Sequence, residues 1–187
     1  MKQTLLILTI LITICTFSCS SCKKEIVIDN GGLPPITQTG SNTLGFTLNG
    51  QPWTPQGQVG VSPNLAIDID FGYNNGILSI TGYKYSSGKR EDFGIGIRDS
   101  LNFMTFPKNL VLGKNTLANA RFTNDYCNCD FYDPTIFRGG NLSITKLDKT
   151  NKIISGTFNV TLFKVGCSDT IKITDGRFAN SKSNNCK

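Results

Sequence analysis

The chain has 187 residues, 39% of them hydrophobic and 17% charged, with a formal net charge of +6. That balance favours one packed domain with a tail over disorder throughout. Histidine is absent and glutamate is confined to Glu25 and Glu91, which excludes Ser-His-Asp and Cys-His nucleophile systems, histidine-containing zinc sites and paired-glutamate acid–base chemistry.

Lys2 gives a short positive start, and Leu5 to Phe17 is a largely apolar run. The run falls short of the ~20 residues a membrane-spanning helix needs and suits the core of a signal peptide. Ser18-Cys19-Ser20-Ser21-Cys22-Lys23-Lys24-Glu25 follows. Small residues ending in a cysteine after such a run resemble the lipobox of bacterial lipoproteins. In that family the cysteine is diacylated on sulfur and becomes the mature N-terminus. Cys22 is the favoured lipidation site, because Ser20 and Ser21 precede it and a charged stretch follows at once. Cys19 is the alternative, with bulky Phe17 close by, and an ordinary secretory signal cut near Ser20 is a third reading. Residues 1–21 are thus expected to be a signal peptide, and the membrane the first partner, through a lipid anchor in the outer membrane whose face stays open.

From Lys23 to Asn42, Gly31-Gly32 and Pro34-Pro35 interrupt any period. Residues 22–42 therefore read as the lipidated N-terminus and a flexible tether, with a single domain over 43–187.

Period two then dominates. Leu44, Phe46 and Leu48 share one face; so do Ile67, Ile69 and Phe71, opposite Asp68 and Asp70. Ile77–Thr81, Phe93–Ile97, Leu142–Leu147, Ile154–Phe163 and Ile171–Thr174 continue the alternation, which marks half-buried antiparallel strands. Asn49-Gly50, Asn75-Gly76, Ser87-Gly88 and Asp175-Gly176 read as short turns. Asn141 to Phe178 is expected to form a three-stranded meander. Lys108 to Asn119 is the least legible segment and is read as room for a short helical turn. The fold class is all-β: an antiparallel β-sandwich or a closed, lipocalin-like barrel of about eight to ten strands.

Four segments together carry a resemblance: Asn42–Pro55 with its N-G-x-x-W element, Leu142–Asp148 (LSITKLD), Lys152–Phe158 (KIISGTF) and Ile173–Phe178 (ITDGRF). As a set they resemble a family of uncharacterised lipid-anchored envelope lipoproteins of Bacteroidota-type bacteria. The resemblance covers both ends of the mature domain, not residues 57 to 140. It implies an all-β domain on an envelope lipoprotein, and no activity, ligand or catalytic residue comes with it. The motif residues have structural readings of their own. Trp53 plugs one end of the core, Gly156 allows a bend, Gly176 takes a positive φ, and Arg177 reaches over the core edge beside Phe178.

Beyond Cys15, Cys19 and Cys22, four cysteines remain: Cys127, Cys129, Cys167 and Cys186. Export would place them in an oxidising compartment, where disulfides are the default. A Cys127–Cys129 ring would be very tight, so the favoured pairings join one of the two to Cys167 and the other to Cys186. A four-cysteine metal site is the rival, with spacing unlike paired C-x2-C units. Asp125, Asp130 and Asp133, with Asn124 and Asn128, supply oxygen ligands of the kind calcium takes; a solvated loop is the favoured reading. Asp68 and Asp70 offer two carboxylates on one strand face, which solvent-facing alternation also explains. Tyr73, Tyr83, Tyr85, Tyr126 and Tyr132 are candidate sugar platforms, with half-burial as the competing reading.

Basic residues are scattered, and no nucleic-acid motif is present. The expectation is a non-catalytic binding or accessory module without a cofactor, its partner a glycan, a small apolar ligand or a protein. A lipocalin-like carrier of an apolar ligand is the runner-up, and an Asp-dependent hydrolase comes last.

Overall fold

The computed structural model describes residues 32–126, 130–133, 135–167 and 170–181, Ser181 by its backbone only. The strands are β1 (Thr43–Leu48), β2 (Gln51–Trp53), β3 (Leu65–Asp70), β4 (Ile77–Ser86), β5 (Lys89–Ile97), β6 (Lys108–Val111), β7 (Ala118–Asn124), β8 (Phe137–Asp148), β9 (Ile153–Phe163) and β10 (Ile171–Ser181). The larger sheet runs β2-β1-β10-β9-β8-β6 and the smaller β3-β4-β5-β7. Neighbouring strands are antiparallel throughout. Neither sheet closes on itself, so the fold is a β-sandwich and not the closed barrel left open by the sequence.

Turn chemistry places the hairpins. Asn49-Gly50 and Ser87-Gly88 both have two successive positive φ angles, the backbone that two-residue hairpin turns require. Asp148 fixes the β8–β9 turn, accepting the backbone N–H groups of Thr150 and Asn151 at 3.0 and 2.9 Å. The meander β8-β9-β10 forms as its alternation predicts.

Three expectations are corrected. Lys108–Asn119 holds no helical turn: it contains β6 and the start of β7, and the short 3-10 turn lies earlier, at Leu101–Phe103. β6 is an edge strand in which only Leu110 is buried, so its alternation is too weak to read. Asp175-Gly176 is not a turn between strands but lies inside β10, where the register slips against both neighbours. There Asp175 takes the positive φ, at 54°. Gly176 is required for a different reason, since a Cβ on it would lie 2.4 Å from the Phe158 ring. Gly156 is likewise a site of close approach, 2.3 Å from Ser143 O and 2.7 Å from the Phe178 ring by the same measure.

Inward-facing side chains fill the space between the sheets. Phe46 stacks on Trp53 with ring centroids 4.5 Å apart, and Phe93 of the smaller sheet stacks on Phe158 of the larger at 5.2 Å. Trp53 thus plugs the core as its sequence context suggests. Truncating an aromatic residue in such a cluster typically costs about 3–5 kcal/mol.

Side chains of the larger sheet also pin both edge strands of the smaller one. Asn180 Nδ2 donates to Ile67 O of β3 at 2.9 Å, and Arg138 Nε donates to Ala120 O of β7 at 2.9 Å. These bonds occupy carbonyls that an exposed edge would offer to another chain.

Residues 33–41, read from sequence as tether, lie along the outer face of the larger sheet. Leu33 is buried, and a Cβ on outward-facing Gly45 would sit 2.4 Å from Pro34 Cδ. Arg177 Nη1 donates to Pro34 O at 3.2 Å and Lys146 Nζ to Gln38 O at 3.5 Å. Hydrophobic alternation cannot reveal this strap, because single apolar and proline contacts hold it in place of a strand period.

Candidate functional site

The outer face of the smaller sheet carries a trough of about 610 Å³. Its floor follows from the register. One cross-strand row reads Asp68, Ser79, Gly96, Asn119, and the next reads Ala66, Thr81, Gly94, Arg121. The alternate residues Leu78, Ile80, Ile95, Ile97 and Ala120 point into the core. The centre of the outward face is therefore Ser79, Thr81, Gly94 and Gly96, small groups that leave a hollow with two hydroxyls in it. Gly96 is obligatory, since a Cβ there would lie 2.2 Å from Leu78 O.

Larger residues stand around this floor. Tyr73 and Asn74 of the β3–β4 turn, Arg98 after β5, Asn119 and Arg121 of β7, and Tyr132 line the trough. Tyr73 and Tyr132 are both 59% exposed, which leaves ring area open to a ligand. Arg98 Nε donates to Thr116 O at 2.8 Å and is held. Arg121 is different: its side chain lies over Gly94, with Nε 2.7 Å from where a Cβ would be. Among the described residues its guanidinium has no hydrogen bond, ion pair or ring partner.

Tyr132 is held in place from three sides. Phe131 exchanges both backbone hydrogen bonds with Phe122 of β7, at 3.1 and 2.8 Å, and is fully buried. Arg138 reaches across from β8, and its Nη2 donates to Tyr132 O at 2.7 Å and Asp133 O at 2.9 Å. Burial lowers the Arg138 pKa from its usual value, yet the guanidinium stays charged. Asp133 accepts from the Thr135 backbone and hydroxyl and pairs with Lys164 at 2.9 Å. Those contacts, the Thr135 hydroxyl first, hold the Asp133 carboxyl well below the usual aspartate range, and Asp133 in turn raises Lys164.

The other sequence candidates fall elsewhere. Tyr83 is buried: its hydroxyl accepts from Val59 N–H at 3.0 Å and donates to Ser62 O at 3.1 Å, with Arg90 stacked 4.3 Å above the ring. It holds the 56–64 loop and offers no platform. Tyr85 is 37% exposed and lies next to that loop, outside the trough. Tyr126 packs on the β4–β5 hairpin, donating to Ser86 O at 3.2 Å under Lys89. Sequence reasoning put Tyr132 beside Tyr83, Tyr85 and Tyr126 as the leading candidates, gave Tyr73 less weight, and missed Arg121 and the glycine floor. The signal was the glycine alternation in Phe93–Ile97, which marks a face without side chains.

The calcium reading gains no cluster. Asp125 Oδ2 accepts from Arg90 N–H at 2.9 Å, and Asp133 is committed to Thr135 and Lys164. Among the described residues no three metal-ligating side chains converge. Asp70 accepts from Gly72 N–H at 2.8 Å, and neither it nor Asp68 lines the trough. Cys22, Cys19, Cys127, Cys129 and Cys186 lie outside the described residues. Cys167 is half-buried against the core, next to the turn that carries Lys164.

A second hollow, of about 300 Å³, is lined by Pro34, Leu44, Pro55, Pro63 and Leu65. No protein-family model matches the chain, and no curated protein or solved structure matches it either.

Proposed function

We propose that this chain is a lipid-anchored envelope protein whose β-sandwich binds a saccharide in the trough and performs no chemistry on it. The observation that carries the binding reading is a 610 Å³ trough floored by small and hydroxyl-bearing residues and edged by two exposed tyrosines. A sugar ring has apolar faces and a rim of hydroxyls. A hollow with flat aromatic walls and a few convergent polar groups suits that duality. A non-catalytic role is supported by the histidine-free composition.

The address rests on the sequence: a signal-like run followed by Ser20-Ser21-Cys22 and a charged stretch, with Cys19 as the second choice. Two acyl chains on that cysteine would anchor the protein stably, at ~0.8 kcal/mol per buried methylene. The resemblance to envelope lipoproteins of Bacteroidota-type bacteria points to the same address. Export in turn favours bridges that join Cys127 or Cys129 to Cys167 and the other to Cys186. The Lys164–Asp133 pair supports the first, because it brings the β9–β10 connection beside the segment that follows Cys129.

The deciding experiment is a glycan array probed with the detergent-extracted full chain and with Ser79→Trp, which fills the trough from an exposed position. Saccharide hits that disappear in the variant are expected. An array without hits, or hits that Ser79→Trp leaves intact, overturns the reading. Mass spectrometry of the extracted protein tests the anchor, and an unacylated N-terminus away from both cysteines overturns it. Non-reducing peptide mapping tests the bridges, and free thiols in envelope-purified protein overturn them.

A further inference from the structure

The geometry points to an anionic saccharide as the ligand of the trough, with Arg121 as the residue that selects the charge; this inference rests on the saccharide reading above. Five arginines occupy the described domain, and four of them are committed. Arg90 pairs with Asp92, Arg98 with Thr116 O, Arg138 with three carbonyls, and Arg177 with Pro34 O. Only Arg121 carries its guanidinium into a cavity with no partner among the described residues.

Its surroundings decide what it can take. The Thr81–Gly94–Arg121 row places the side chain against a glycine, so nothing rises beside the guanidinium to shield it. Arg98 adds a second positive charge to the lining, and among the described residues no carboxylate lines the trough. The acid nearest Arg121 along the register is Asp92, one row further, and it is already paired with Arg90. Asp68 pairs with Ser79 at the β3 edge, three strands away from the β7 strand that carries Arg121. The potential on the β7 side of the trough, around Arg121 and Arg98, is therefore positive.

A planar guanidinium offers paired N–H donors that fit a carboxylate bidentately and also serve a sulfate. Ser79 and Thr81 supply neutral hydroxyls beside it for ring hydroxyls, and Tyr132 lies on the same β7 side. A uronic acid or a sulfated sugar meets each of these groups. A neutral sugar would leave the charge unmatched.

The test is the glycan array read by class, neutral against carboxylated against sulfated, with the strongest hit then titrated by calorimetry. The expected result is that hits concentrate in the anionic classes, and the carboxylated and sulfated arms identify which anion is bound. Arg121→Ala should then weaken the strongest hit by about tenfold or more, as losing a charged hydrogen-bond pair does, and Arg121→Lys should restore part of it. An unchanged thermal melt shows that the variant is folded. Hits confined to neutral sugars, or an Arg121→Ala affinity equal to that of the parent, overturn the charge selection. The saccharide reading still stands in that case if Ser79→Trp abolishes those hits. No hits in any class overturn both.

Discussion

The indole N–H of Trp53 donates to Glu91 Oε2 at 2.8 Å, joining the shortest strand of the larger sheet to β5 of the smaller. Asn124 Nδ2 approaches the other carboxylate oxygen at 3.4 Å. Glu91→Ala strands the buried indole donor and is expected to lower the unfolding free energy by about 1–3 kcal/mol. Glu91→Gln keeps an acceptor and should lose less. Urea denaturation followed through the fluorescence of the single tryptophan measures both. Equal losses would show that the hydrogen bond is not what joins the sheets there.

Gly176 and Gly88 separate two reasons for glycine. Gly88 has φ 76° with nothing within 4 Å of a Cβ, so Gly88→Ala should cost only the left-handed backbone term, roughly 1–2 kcal/mol. Gly176 lies outside that region but has the Phe158 ring against it. Gly176→Ala must move a core aromatic and is expected to cost about 3 kcal/mol or more. A larger loss at Gly88 than at Gly176 would reverse the assignment.

Arg138 spans from β8 to the Tyr132 wall. Arg138→Ala should leave the carbonyls of Ala120, Tyr132 and Asp133 without this donor, at about 1.5–3 kcal/mol for the charged bonds. The expected local effect is faster hydrogen exchange at Phe131 and Tyr132, with the central strand β4 unchanged. Arg138→Lys should not rescue it, since one ammonium cannot reproduce a planar fork. Uniform acceleration through β4 would mean global unfolding, not release of the wall.

The titratable groups give the pH profile a definite sign. Asp133 is depressed by Thr135 and Lys164, Asp148 by the Asn151 backbone and side chain, and Asp99 by Ser100 and Asn75. Depressed carboxyls contribute stability that is present above their unfolded value, ~3.9, and lost as pH falls through the folded value. Lys164 is raised, chiefly by its bond to Asp133. Its contribution is complete below the unfolded value, ~10.4, and is lost as pH rises through the folded one. Histidine is absent. The melting temperature should be flat from about pH 5 to 9 and fall below ~4. A step near pH 6.5 in a thermal-melt series would contradict this.

Much of this architecture was legible in the sequence. The seven alternating runs became strands, and the Asn49-Gly50 and Ser87-Gly88 pairs became hairpins, because a half-buried strand and a positive-φ turn leave local signatures. β2 and β6 left little, being short edge strands with a single buried residue each. The 33–41 strap left none, because a proline contact on Gly45 and side chains more than a hundred residues away, Arg177 and Lys146, hold it in place of any strand period. The site was half legible. Tyr73 and Tyr132 could be nominated as aromatics, but only the cross-strand register shows that Ser79, Gly96, Thr81 and Gly94 line up beneath them. Nothing local distinguishes Arg121 from the four arginines that have partners.

The strap also has a mechanical consequence. Traction on the residues before Gly32 would be taken up along the strap, where Leu33 is buried, Pro34 packs on Gly45, and Pro34 O and Gln38 O accept side-chain hydrogen bonds on the back of the larger sheet. Those bonds can peel one at a time without shearing any strand pair. The trough lies on the far side of the core from those two bonds. The strap can thereby come away from the larger sheet while every strand pair stays formed.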